Sequence, residues 1–210
     1  MLPDATVRLG DDTEVAGGNS RVVHAHSRYP DQLIKLPRAH PPQRWTLRAL
    51  RRRLRPSGAY KSFLVELLEY RRLARNFPQG QMPIPAIHGF VRTTLGAGLL
   101  VDAVRPETGQ GLAPTLADLL AADADRGRLV GLLDELLNGL RQLRPSIGDL
   151  HPGNIVCGRY GGMVGLFIVD GLGRSLVFPV DVWFQPMNRA RLDAAHADLL
   201  KTIMSGGVEA

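Results

Sequence analysis

Cysteine is almost absent from this chain of 210 residues: Cys157 stands alone, so no disulfide can form within it. Its place in a short apolar run reads as a buried small hydrophobe. Lysine is scarce too. Only Lys35, Lys61 and Lys201 occur among 26 basic residues. Aromatic residues make up 6% and do not interleave with the basic runs, so no specific nucleic-acid partner is expected. No apolar run is long enough to span a bilayer. Met1 to Asp12 holds no apolar stretch between a basic start and a small-residue cleavage site, so no signal peptide is expected. There is no repeat and no low-complexity segment. These absences point to a cytoplasmic protein.

What is present suits a folded chain. Hydrophobic residues make up 44%, enough for a sizeable core. The formal net charge of +6 comes almost entirely from arginine, and a basic surplus suits polyanionic partners. Where arginine is the default cation, a lysine inside an apolar strand invites a chemical reason.

The pattern along the chain reads as strands first and helices after. Residues 7–36 give strand, turn, strand, turn, strand, with Gly17-Gly18-Asn19-Ser20 as the first turn and Leu33-Ile34-Lys35-Leu36 as the last strand. An insert after Pro41-Pro42 carries six arginines between Arg44 and Arg55 around a loose apolar stripe. It reads either as a contact for an anionic surface or as a solvated face covering the first lobe. Helical period predicts a helix over 60–76, followed by strands at about 87–92 and 99–104. Helices are then predicted over 116–121, 126–144 and 188–204. Two short strands, 155–157 and 166–169, are joined through Gly158 to Gly165. The layout is α+β in two lobes, 1–105 and 106–210, with the connector near residue 105 as the boundary.

The chemistry concentrates in Gly148-Asp149-Leu150-His151-Pro152-Gly153-Asn154, followed after the hairpin by Asp170. Phosphoryl transfer needs placement and charge neutralisation more than covalent help. Asp149, on a loop after a helix, suits the acceptor hydroxyl. Asn154 and Asp170 offer magnesium one neutral and one anionic oxygen ligand. They lie 16 positions apart, and the hairpin would bring them face to face. A turn alone would explain Asp149 and Asn154, but not the following strand, glycine hairpin, strand and Asp170. His151 either helps neutralise the transferring group or packs the loop. Asp181 either braces that loop or caps a turn. Lys35 suits the phosphates as a compact point charge. Glu66 on the following helix is its expected partner, with Glu69 as the rival three positions on.

The Asp149–Asn154 spacing and the later Asp170 resemble the catalytic and metal positions of the protein-kinase-like superfamily. The wording Gly-Asp-Leu-His-Pro-Gly-Asn is closer to small-molecule kinases of the aminoglycoside and choline kinase type. The glycine turn with Ser20-Arg21-Val22, the Ile34-Lys35 strand, Glu66-Leu67 with Tyr70, and Asp170-Gly171-Leu172-Gly173 resemble the YrbL family of PhoP regulatory network proteins. The likeness runs from about residue 9 to about residue 205. It implies a two-lobed kinase-like fold with a reduced helical C-terminal lobe. ATP would be held by Gly17, Gly18, Lys35 and Glu66, magnesium by Asn154 and Asp170, with Asp149 catalytic. The acceptor would be a hydroxyl of a small molecule or a lipopolysaccharide-type sugar. The alternative is a catalytically silent pseudokinase working as a regulatory binding module. The departures are specific: Ala16 and Arg21 stand at flanking glycine positions of the loop, Ile147 replaces a His, and Leu172 replaces a Gly. Only 40 residues follow Asp170, too few for the full second lobe of a protein kinase.

Overall fold

The computed structural model describes residues 6–10, 13–18, 21–38, 60–78, 80–173 and 185–205. The arginine-rich insert over 44–55, Asn19, Ser20 and Asp181 lie outside these residues. Two compact units group by contact: residues 1–67 with 87–102, and residues 68–86 with 103–210.

The first unit is built on an antiparallel sheet of five strands in the order β1-β2-β3-β5-β4. They are β1 Glu14–Gly17, β2 Arg21–Ala25, β3 Gln32–Pro37, β4 Ile87–Thr93 and β5 Gly96–Asp102. β3 is the middle strand. Its alternation turns Ile34 and Leu36 to one face, where they meet Leu9 and Val91 in a buried cluster. Lys35 faces the other way and is buried as well. Helix α1, Lys61–Leu73, belongs to this unit as far as Leu67 and to the second from Leu68 on; it buries Phe63, Glu66, Leu67, Tyr70 and Leu73 at spacings of three and four, the stripe of one helical face.

The second unit carries three helices and a hairpin. Helix α2, Leu116–Ala121, opens with a capping box in which Thr115 and Asp118 satisfy each other's backbone N–H groups. Helix α3, Arg126–Leu143, starts at Asp125, whose side chain accepts from Arg128 N. Leu129, Leu133, Leu136, Leu137, Leu140 and Leu143 form its buried stripe. The stripe packs on helix α4, Gln185–Ser205, and on the hairpin of β6 Ile155–Tyr160 and β7 Met163–Ile168. Arg141 to Asp193 and His196 to Asp134, both at 2.9 Å, add polar ties between α3 and α4.

The hairpin turn is shorter than the expected span from Gly158 to Gly165. The ladder continues to the Tyr160–Met163 pair, and Gly161 and Gly162 alone make the turn, with φ of 58° and 82°. Two successive left-handed residues are the geometry a two-residue hairpin favours. Gly158 belongs to β6 for a different reason: a side chain there would overlap the carbonyl oxygen of Arg105.

No helix among the described residues is long and apolar enough to cross a membrane.

Candidate active site

In the first unit, Lys35 Nζ donates to Glu66 Oε1. The lysine is 6% exposed and the glutamate 2%. β3 positions the lysine by backbone pairing on both sides, with Val23 of β2 and Leu99 of β5. α1 positions the glutamate on the turn between Phe63 and Leu67. Arg21, at the start of β2, donates from Nη1 to the other carboxylate oxygen, Glu66 Oε2, at 2.8 Å. Its guanidinium also lies 5.0 Å from the centroid of the Phe63 ring. One buried carboxylate is thus shared by two cations. The Arg21 contact spans 45 positions between the glycine turn and the helix, which is why no local pattern signals it.

The glycine turn itself closes by Gly18 N donating to Arg21 O at 2.9 Å. Neither Gly17 nor Gly18 has a positive φ. A side chain at Gly17 would press on Arg38, whereas Gly18 has open space around it.

In the second unit, residues 146–154 form a loop that the backbone after β7 holds shut. Gly148 N donates to Gly171 O at 2.8 Å and Gly173 N to Ser146 O at 2.6 Å. Between them Ile147 and Leu172 form a β-bridge. Two departures from the kinase pattern therefore face each other. Gly171 has φ 84°, and an added Cβ would overlap the carbonyl oxygen of Asp149, so glycine is required on both counts.

Asn154 sits at the end of a short 3₁₀ turn, Pro152–Asn154, directly before β6. Its Nδ2 donates to Asp149 O at 3.2 Å. That contact uses the amide nitrogen and leaves the amide oxygen as the hard donor for a cation. Asp170 follows β7 and receives Gly171 N on Oδ1 at 2.6 Å. The pairing of Ile155 with Ile168, continued by Val169 N to Asn154 O at 3.0 Å, brings Asn154 and Asp170 to the same end of the hairpin. One amide and one carboxylate suit magnesium, which takes oxygen ligands and keeps several waters. Among the described residues no cluster of three His, Cys, Asp or Glu side chains is placed to hold a metal.

Asp149 is open, with its side chain 67% exposed. It lines a cleft of about 260 Å³ with Ile147, Gly148, Leu150 and, from α4, Arg191, Leu192 and Ala195. His151 Nδ1 accepts from Gly153 N at 3.1 Å, and Nε2 lies 3.7 Å from Asp149 Oδ2. The histidine is thus part of the loop's packing and near its carboxylate.

Glu69, the rival partner for Lys35, has other work. Its carboxylate receives Arg72 at 2.7 and 2.9 Å and Ser146 N at 2.7 Å, while Arg72 also donates to Arg144 O at 2.9 Å. Glu69 and Arg72 together anchor the entrance of the Asp149 loop. The i,i+3 spacing shows the pair in the sequence, but its long-range partner does not. Elsewhere in this unit, burial pushes the Cys157 thiol up to about 11, with Glu107 beside it adding to the shift. A thiol held that high is no nucleophile at neutral pH.

A middle strand bearing a lysine, a helix bearing its carboxylate, then helices and a hairpin flanked by Asp-x4-Asn and Asp is the element order of a reduced kinase-like fold. Two solved structures similar to the chain are described as a high-resolution (2.2 Å) crystal structure of WbdD and a medium-resolution structure of the bifunctional kinase-methyltransferase WbdD. Identities are 16% and 17%, and TM-scores 0.48 and 0.45. Each match covers 80% of this chain and about a third of the other, 34% and 33%. No curated protein sequence matches. The sequence profile of the PhoP regulatory network protein YrbL matches residues 7–204, and the chain belongs to that family.

Proposed function

We propose that this protein is an ATP- and magnesium-dependent phosphotransferase acting on a hydroxyl of a small molecule or a lipopolysaccharide-type sugar. The observation that carries the reading is the buried pair of Lys35 and Glu66 on the middle strand. A buried ion pair stabilises a fold no better than apolar residues of similar volume. Its retention calls for a chemical reason, and a phosphate-binding lysine held extended by a glutamate supplies one.

The roles divide between the two lobes expected from the sequence. Residues 1–105 serve as the nucleotide-binding lobe, in which Lys35 takes the phosphates, Glu66 orients it and the turn at Gly17 and Gly18 covers them. Residues 106–210 carry the transfer chemistry. Asn154 and Asp170 hold magnesium, which when bound neutralises charge on the phosphates. Asp149 takes the proton of the acceptor hydroxyl, and the cleft beside it is the place for the acceptor. The cytoplasm, where ATP is plentiful, is the compartment this activity needs.

A second reading, the silent regulatory module, is favoured by the glycine turn, whose two glycines adopt ordinary φ values. Turnover of ATP by purified protein, with and without magnesium and beside Asp149→Asn, separates the two. Magnesium-dependent turnover removed by the substitution supports the phosphotransferase. ATP that raises the melting temperature without any phosphate release supports the silent module.

A further inference from the structure

Asp149 is reached from helix α3 by a short, strained run of backbone. The helix ends at Arg144, which takes the left-handed conformation, φ 51° and ψ 53°, without being glycine. A residue held there keeps its geometry only where its surroundings impose it. Pro145 follows, is buried and has no N–H to donate. Ser146 comes next, three residues before Asp149. Glu69 and Arg72, in the same unit, hold this run on both sides of the proline. Glu69 Oε1 receives Ser146 N at 2.7 Å, and Arg72 Nη2 donates to Arg144 O at 2.9 Å. Arg72 also grips the carboxylate as a fork, from Nη2 to Oε1 at 2.7 Å and from Nε to Oε2 at 2.9 Å. Among the described residues, both side-chain hydrogen bonds that leave this pair end on main-chain atoms of the run that leads to Asp149. On its other side, Ser146 O receives Gly173 N at 2.6 Å. The Asp149 side chain itself is mostly in solvent, so its place depends on that backbone. A shift of about 1 Å at a reacting group can cost about a hundredfold in rate.

We propose, on the reading of Asp149 as the group that takes the acceptor's proton, that Glu69 is a positioning residue of the transfer step. Its carboxylate, squared by Arg72, fixes the N–H of Ser146 and so sets where Asp149 stands. Glu69 therefore governs the rate of transfer and leaves nucleotide affinity alone.

The test is steady-state phosphate release from magnesium-ATP by the full chain, with water as acceptor and with kcat and KM for ATP taken separately. The chains are the parent, Glu69→Met, Glu69→Gln, Arg72→Met, Asp149→Asn and the double variant of Glu69→Met with Asp149→Asn. Val91→Ala, in the buried cluster with Leu9, Ile34 and Leu36, is the control for lost stability alone. Each chain is also melted without ligand. Glu69→Met should lower kcat about ten- to a hundredfold and leave KM for ATP unchanged. Glu69→Gln, whose amide oxygen can still receive Ser146 N, should recover part of that loss. Arg72→Met should fall between the parent and Glu69→Met. Beside Asp149→Asn, Glu69→Met should cost little more, because the group it acts through is already gone. Val91→Ala should melt earlier and keep its kcat. Losses that multiply in the double variant overturn the proposal, since Glu69 would then act elsewhere than on Asp149. A kcat that falls as far in Val91→Ala as in Glu69→Met overturns it too, with stability as the cause. Turnover in the parent that Asp149→Asn removes and Glu69→Met leaves at the parental rate overturns the proposal with the phosphotransferase reading intact. A parent without magnesium-dependent turnover removes that reading, and this proposal with it. Should Glu69→Met fail to fold, Arg72→Met decides in the same way. A lowered kcat that adds nothing beside Asp149→Asn supports the proposal, and a parental or multiplying effect overturns it.

Discussion

The Lys35 cluster and the Asp149 loop are built by opposite means. Lys35 and Glu66 are almost out of solvent, fixed by a middle strand and a helix whose neighbours are apolar. Asp149 is mostly in solvent and owes its place to backbone hydrogen bonds and one glycine. A charge fixed by burial is in position before any ligand arrives. A carboxylate on an open loop keeps access to what it must meet, with less of the fold's stability invested in it. Substitutions in the first region should therefore cost stability, and substitutions in the second should cost activity.

The sharpest break of that contrast is Glu66→Ala. It removes the buried carboxylate that both Lys35 and Arg21 contact, and removing one partner of a buried pair costs about 3–5 kcal/mol. Denaturant unfolding should show that loss, and Asp149→Asn in the same assay should show almost none. Gly171→Ala comes next. Left-handed backbone costs a non-glycine residue roughly 1–2 kcal/mol, and the overlap with Asp149 O adds to it. Gly162→Ala has the comparable φ of 82° and open space around it, so it carries the backbone cost alone. Gly171→Ala should be the more destabilising and should lose turnover, whereas Gly162→Ala should keep its turnover. Equal effects would mean that the approach of Gly171 to Asp149 does not shape the loop.

The smallest effect concerns pH. His88 Nε2 and Asp102 Oδ1 are 2.6 Å apart, and that hydrogen bond raises the His88 pKa above its ordinary 6.5, against the opposing pull of burial. The folded value exceeds the unfolded one. The stabilisation is therefore complete below about pH 6.5 and is lost as pH rises through the folded value. The melting difference between the parent and His88→Asn should be largest near pH 6 and should shrink on the alkaline side. A difference that grows with pH would reverse the sign assigned here.

Much of the architecture was legible because burial leaves a period in the sequence. The leucine stripe of α3 and the alternation around Ile34 and Leu36 located their elements to within a few residues. What was not legible is what depends on distant backbone. Four glycines between 158 and 165 marked a hairpin, but only the positive φ of Gly161 and Gly162 locates its turn. Glu66 and Glu69 are three residues apart on one helix and both buried, so helical period cannot assign them. Lys35 receives the first, and Ser146 N donates to the second. Ile147 and Leu172 look like separate departures in the sequence and are paired across a bridge in the fold. Arg21 looked like a lost glycine, and its contact with Glu66 belongs to tertiary structure alone.

The account stands most directly on phosphate release from ATP, read alongside the ATP-induced rise in melting temperature in the same chains. The chains are the parent, Lys35→Met, Asp149→Asn and Asp170→Ala, each with and without magnesium. The account predicts magnesium-dependent turnover in the parent. Lys35→Met should lose the thermal shift and the turnover together. Asp149→Asn should keep the shift and lose about a hundredfold or more in turnover. Asp170→Ala should lose the magnesium dependence. Turnover that survives Asp149→Asn, or ATP stabilisation of the parent that is indifferent to magnesium and to Lys35, would contradict it.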